Sequence, residues 1–425
     1  MQRLEWTVDI HRSIAAGEAL LGSLLGLAGA LRVDLGRTLG RLGKTRHSVR
    51  QHLGLIPLAA AYHLRTLIRN VHLLVGLTAG TFIVILGVTG SIMEFEPELD
   101  RISHPRLSYV TPDARMLPLS EIGAAVSRRF NGEPVVAFLP STSSELSSQV
   151  LLPSGIAYVN QHTGEILGER IRGQTFLGYV RSLHVRLAGG DVGRIALKWS
   201  AVAMLASLMS GLYLWWPLKR IRIRGKGTGR RLWFDLHNSI GFLSLLPLSL
   251  LAATGAILGF EGQIAPVIYR VTGSQPTQVQ PWQVHKPMPN ARMLTPDEAI
   301  AIARPYMAGA AVYRVQMPNY GGVYQIAFLC SGDQAAGDRN LVVVDPYDGS
   351  ILSLSRSSQL SRGERALATN EAIHTGSIWG MPSRILAWIA SVIVPLQVLS
   401  GVILWLQRKR FFRHAKAPSN EGIRS

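Results

Sequence analysis

The sequence predicts an α-helical membrane protein with four transmembrane helices in two tandem repeats, plus two small α+β domains outside the membrane. Three observations predict it. Only 16% of the 425 residues are charged, and the mean hydropathy is +0.20, as in a chain of apolar runs joined to polar blocks. The apolar runs recur in register: His72-Leu-Leu-Val-Gly76 and the run ending Thr89-Gly90 match His237-Asn-Ser-Ile-Gly241 and Thr254-Gly255 at an offset of 165. A second offset, 190, matches His184 to His374, Arg194 to Arg384, Ser210-Gly211 to Ser400-Gly401 and Trp215 to Trp405. Finally, the positive charge is clustered beside the apolar runs. Lys219 to Arg231 holds seven basic residues and no acid, and Arg408-Lys409-Arg410 begins a basic tail. A formal charge of +18 placed this way reads as the positive-inside pattern, so nucleic acid is excluded as the partner and membrane lipid is expected.

In order, residues 1–62 form an N-terminal extension of uncertain structure. Ile14 to Leu31 is apolar but carries Glu18, and basic residues follow it. A surface helix, a weak extra span and an unstructured extension all remain open there. The first span runs from about Val71 to Phe95 within a segment 63–96, and Arg65 and Arg69 put its start on the cytoplasmic side. Residues 97–190 turn polar, with a helix over Leu119–Phe130, strands at Val135–Leu139 and Gln149–Leu152, and a hairpin at Thr163-Gly164. The second span, about Ile195 to Trp216 in 191–218, leads to the basic cytoplasmic loop 219–232. The third, about Leu236 to Phe260 in 233–262, leads out again. Residues 263–381 repeat the polar block: a helix over Pro296–Tyr306, strands at Val312–Met317, Val323–Leu329 and Leu341–Val344, then a hairpin through Gly349. The fourth span, about Ile385 to Leu406 in 382–407, ends in the cytoplasmic tail 408–425. Both termini are therefore expected on the cytoplasmic side.

The lone Cys330 rules out an intrachain disulfide and a Cys-x-x-Cys-His haem attachment, and no phosphate-cradling glycine loop is present. Four histidines at repeat-equivalent places carry the chemistry instead. Ionisable groups at membrane helices are costly and mark function. A duplicated two-span unit relates its halves by an axis along the membrane normal, so His72 should face His237 near the cytoplasm and His184 should face His374 near the outer surface. Two opposed imidazoles suit the axial positions of an iron porphyrin. A zinc site would want four ligands together.

Gly90 and Gly255 lie 18 residues after His72 and His237, five turns on, and are expected to clear room for a flat ring. Close helix packing is the other use of such glycines. Arg194 and Arg384 near the outer pair, and Arg65 and Arg230 before the inner pair, are candidate partners for haem propionates. Positive-inside anchoring explains the inner two equally well.

These motifs (His-x3-Gly with Thr-Gly, the Ser-Gly-x3-Trp ends, and two hairpin-ended polar blocks) resemble the PepSY-associated transmembrane family over about residues 63–410. Residues 1–62 fall outside the resemblance. It implies PepSY-like α+β domains in the periplasm and a bacterial inner-membrane location. It also implies two bis-histidine b-type haems that pass electrons to a periplasmic ferric chelate such as a ferric siderophore. On that reading the chain is a haem-dependent ferric reductase, with His72 and His237 as axial ligands of one haem and His184 and His374 of the other. No flavin or nucleotide domain is encoded, so the donor is a cytoplasmic protein or a quinol. The competing expectation is a membrane-anchored PepSY binding or regulatory protein without redox activity, which leaves the duplicated histidines unexplained. A metal transporter would want polar residues at mid-membrane, where the spans are apolar.

Overall fold

A computed structural model describes residues 56–171, 175–216, 221, 229–276, 292–320, 322–330 and 340–414. The expectations for residues 1–55, most of the basic loop and the last eleven residues lie outside the described residues. Residues through Arg69 cluster as a unit of their own, represented by the start of one helix. The unit from Asn70 onward carries everything that follows.

Two helices are long and apolar enough to cross a membrane unbroken: α7 (Gly190–Trp215) and α13 (Met381–His414). The other two apolar segments reach that length only as bent pairs. Helix α1 (Ile56–Thr78) meets α2 (Gly80–Met93) at 58°, and α8 (Arg230–Leu243) meets α9 (Leu245–Gly259) at 63°. The breaks, Ala79 and Ser244, are themselves 165 residues apart. At the second break Pro247 has no N–H for the Leu243 carbonyl, which frees the last turn of α8. At the first break no proline is present. There the Thr78 hydroxyl donates to the Leu74 carbonyl at 2.8 Å, beside the backbone ladder, and Gly80 lets α13 approach. A single straight helix carrying both His72 and Gly90 is thus not what forms, and the five-turn argument for their common face fails.

The apolar helices meet midway along their length. Ile83, Leu248, Ala390 and Val394 are buried together, with Met204 and Leu208 packed against them. Ile83 and Leu248 are equivalent at offset 165, and Met204 and Val394 at offset 190, so each repeat contributes the same two positions.

The polar blocks form one antiparallel sheet of eight strands, ordered β4-β3-β2-β1-β5-β6-β7-β8. The first block supplies β1 (Ala137–Leu139), β2 (Ser148–Leu151), β3 (Gly155–Val159) and β4 (Ile166–Ile171). The second supplies β5 (Ala311–Gln316), β6 (Tyr324–Leu329), β7 (Leu341–Val344) and β8 (Ile351–Ser355). The blocks join where Ala137 pairs with Gln316 and Phe138 with Val315. Helices α5 (Leu119–Arg129) and α11 (Pro296–Ala303) cover one face over Ile122, Val126, Val150, Ile326 and Phe328. Asp297, at the start of α11, accepts from the backbone N–H of Leu119 (2.7 Å) and Ser120 (2.8 Å), capping the neighbouring helix across the junction.

Two helices lead from the sheet's edges back toward the apolar bundle: α6 (Phe176–Arg186) follows β4, and α12 (Arg362–His374) follows β8. Their N-termini are capped by Thr175 and by a Ser361/Glu364 capping box. The turn out of α6 is tight. Leu187 and Ala188 take left-handed backbone, and a Cβ at Gly193 would stand 1.7 Å from the Arg186 carbonyl, so only glycine fits there. The linker helix α3 (Glu96–Ser103) is fixed to the sheet by Asp100, which pairs with Arg170. Arg170 also donates to the Tyr158 hydroxyl at 3.1 Å.

Candidate functional site: two opposed histidine pairs

The four repeat-related histidines form two pairs. His72 on α1 and His237 on α8 have ring centroids 6.3 Å apart; His184 on α6 and His374, the last residue of α12, have theirs 6.5 Å apart. The ligating nitrogen of an imidazole lies roughly 1 Å from the ring centre, and a metal–imidazole bond is about 2 Å, so two rings sharing one metal stand about 6 Å apart. Both separations meet that requirement. Among the described residues no group of three or more His, Cys, Asp or Glu comes together as a metal-ion site. Each pair therefore offers two imidazole nitrogens and no further protein ligand of those types, the donor set of an iron whose other positions are filled by a porphyrin.

All four rings are held in the same way. Nδ1 of His72 meets the Ser210 hydroxyl at 2.9 Å, and Nδ1 of His237 meets that of Ser400 at 2.8 Å. In the second pair, Nδ1 of His184 meets the Thr89 hydroxyl at 3.0 Å and Nδ1 of His374 meets that of Thr254 at 3.1 Å. The residue after each hydroxyl is glycine, and its bare Cα faces the ring. A Cβ would stand 3.4 Å from Cε1 of His72 at Gly211 and 3.3 Å from that of His237 at Gly401. It would stand 3.1 Å from Cε1 of His184 at Gly90 and 2.9 Å from that of His374 at Gly255. The hydroxyl–glycine dipeptides are the docks of the histidines.

This changes the reading of Gly90 and Gly255. They stand at the depth expected, beside the second pair, but the group they make room for is an imidazole. The hydroxyl's part was missed, although Thr-Gly and Ser-Gly are visible in all four motifs. An acceptor at fixed offset before each glycine was the available signal. Burial lowers the pKa of both His184 and His374, which keeps these two rings neutral, the form that binds a metal.

The arginines are distributed differently. Arg384 forks onto Glu98 at 2.8 and 3.0 Å, donates to the Glu94 carbonyl, and lies 4.9 Å over the Phe95 ring. Its guanidinium is already engaged by a carboxylate of this chain. Arg194 pairs with Asp191 one turn away, both side chains exposed. Arg230 is exposed at the first position of α8, and Arg65 belongs to the unit that ends at Arg69. Among the described residues, the side-chain hydrogen bonds of the four histidines go to Ser210, Thr89, Ser400 and Thr254 and not to these arginines.

Apolar helices of spanning length, a separate antiparallel sheet and two opposed histidine pairs define a helical membrane protein. A family model, the PepSY-associated TM region, matches residues 69–408, so the chain belongs to the PepSY-associated transmembrane family. Comparison with curated proteins gives no match.

Proposed function

We propose that the chain is a four-span bacterial inner-membrane reductase with both termini in the cytoplasm. In this reading it holds two b-type haems and passes electrons to a periplasmic ferric chelate, such as a ferric siderophore. The observation that carries this is the pair of pairs, with two imidazole couples at the separation one metal needs, each ring anchored through Nδ1. Treating each bent pair as one span gives the four crossings, and the flanking basic clusters support their orientation. Bound iron porphyrin would supply one-electron chemistry. The chain's own residues do the rest. His72 and His237 would hold one group, and His184 and His374 the other. The buried apolar residues between the pairs keep water out. The sheet stands on the side of the second pair, reached through α6 and α12, and would shape the acceptor site. The electron donor would be a cytoplasmic protein or a quinol.

The test is an oxidised and a reduced absorption spectrum of the purified protein with haem counted per chain, followed by ferric-chelate reduction with a chemical donor. Two haems per chain with α-bands of b-type and chelate turnover are expected. A protein that folds without haem overturns the reading and leaves a PepSY-type binding module. Labelling that finds residue 225 accessible from the periplasm overturns the topology.

A further inference from the structure

We infer that Thr89, Ser210 and Thr254 are positioning residues that fix His184, His72 and His374 in the tautomer with the proton on Nδ1, leaving Nε2 as a bare lone pair. The inference deepens the proposed haem-binding reading and rests on it only for the redox consequence.

A hydroxyl has one hydrogen to give and two lone pairs to receive with. The Ser210 hydroxyl donates to the Ala206 carbonyl at 2.7 Å, Thr89 to Ile85 at 2.6 Å, Thr254 to Leu250 at 2.8 Å and Ser400 to Gln397 at 2.8 Å. With that hydrogen used on the helix backbone, only a lone pair faces the ring, so the ring nitrogen must be the donor. The same spent hydroxyl hydrogen in the docks of His72, His184 and His374 assigns these rings the Nδ1–H form, while their Nε2 atoms have no hydrogen-bond partner among the described residues.

The glycine completes the device, because the ring is wedged against a bare Cα as well as tethered. Metal-bound histidines are oriented by just such a partner on the other nitrogen, and the partner's charge sets how strongly the ring donates. Here the partner is neutral. The rings stay imidazole in character, where a carboxylate in the same place would push them toward imidazolate. His237 stands apart, because the Gln397 amide donates toward its Nδ1 at 3.2 Å, so the assignment and its tests rest on the other rings, with His184 and His72 as the probes.

In the haem-free protein labelled with 15N-histidine, the His184 and His72 signals should show the proton on Nδ1. Thr89→Val should convert His184 to a mixture with the other tautomer and leave His72 unchanged; Ser210→Ala should do the reverse, and Thr89→Ser should restore the parent spectrum. Parent signals with the proton on Nε2, or a Thr89→Val protein indistinguishable from parent, overturn the inference whatever the haem content. In the haem-loaded protein the same variants should weaken binding at their own site about tenfold. They should also raise that site's reduction potential, because a ring without its acceptor is a poorer donor to ferric iron. A change of equal size at both sites, or at neither, overturns the redox consequence. If no haem binds at all, the proposed function fails, while the tautomer measurement still decides this inference.

Discussion

The two histidine pairs share a dock and differ in what carries the ring. In the first pair, His72 and His237 sit on the apolar helices α1 and α8 and dock on the unbroken helices α7 and α13. In the second, His184 and His374 sit on α6 and α12, which belong to the returns from the sheet, and dock on the broken helices' far halves, α2 and α9. The first site is built wholly from the apolar bundle. The second is closed by elements whose other ends are strands at the edges of the sheet. Events at the sheet are therefore expected to reach the second pair through two short helices and to leave the first pair unchanged, an insulation the variants below test. One dock chemistry thus serves a site within the apolar helices and a site linked to the sheet.

Removing a ring gives the largest effect. His184→Ala or His374→Ala should reduce haem from two per chain to one and keep the first site's spectrum; His72→Ala or His237→Ala should keep the second. Loss of both haems in every variant would show that the sites are not independent. Next comes crowding at the docks. Gly255→Ala places a methyl 2.9 Å from the His374 ring, and overpacking of this kind costs about 1–3 kcal/mol. Gly401→Ala leaves 3.3 Å to His237, so thermal unfolding and haem retention should fall more for Gly255→Ala than for Gly401→Ala. Equal losses would mean that the second pair is no tighter than the first.

The sheet offers a third way in. Asp297→Ala removes the cap that joins the two blocks and should cost about 1 kcal/mol. Binding or potential should change at the second pair only; a change at the first would deny its insulation. Smallest is Arg384→Gln. Hydrogen bonds from Arg384 hold Glu98 below its ordinary carboxylate range, so the pair's contribution is present above the unfolded pKa and is lost as the pH falls through the folded one. With Glu98 partly exposed the loss should stay under about 1 kcal/mol, and the variant should flatten the stability curve on the acid side. A curve with unchanged slope would show that the pair does not act.

Much of this arrangement was legible from spacing alone. A gapless offset preserves which residues face which, so the pairing His72–His237 and His184–His374 follows from the duplication. The short polar elements were legible from helical spacing, as over Leu119–Arg129 and Pro296–Ala303, and from turn residues, as at Gly164 and Gly349. What escaped depends on contacts between distant segments. Ala137 finds Gln316 across most of two repeats, and nothing local marks either as a junction strand. The break at Ala79 has no proline to announce it. Arg384 carries a charge any carboxylate could claim, and Glu98 claims it only once α13 and α3 are packed.

The buried cluster of Ile83, Leu248, Ala390 and Val394 has an electrical consequence. A layer of aliphatic side chains offers no group of its own to relay a proton and no ligand to carry an ion, whereas in the proposed function electrons would tunnel through it. In the proposed orientation each electron sent outward moves one negative charge through this layer uncompensated. At a membrane potential negative inside, that transfer is assisted by about 2.3 kcal/mol per 100 mV for a full crossing. The aliphatic layer would thus couple the reduction of an external acceptor to the cell's own voltage.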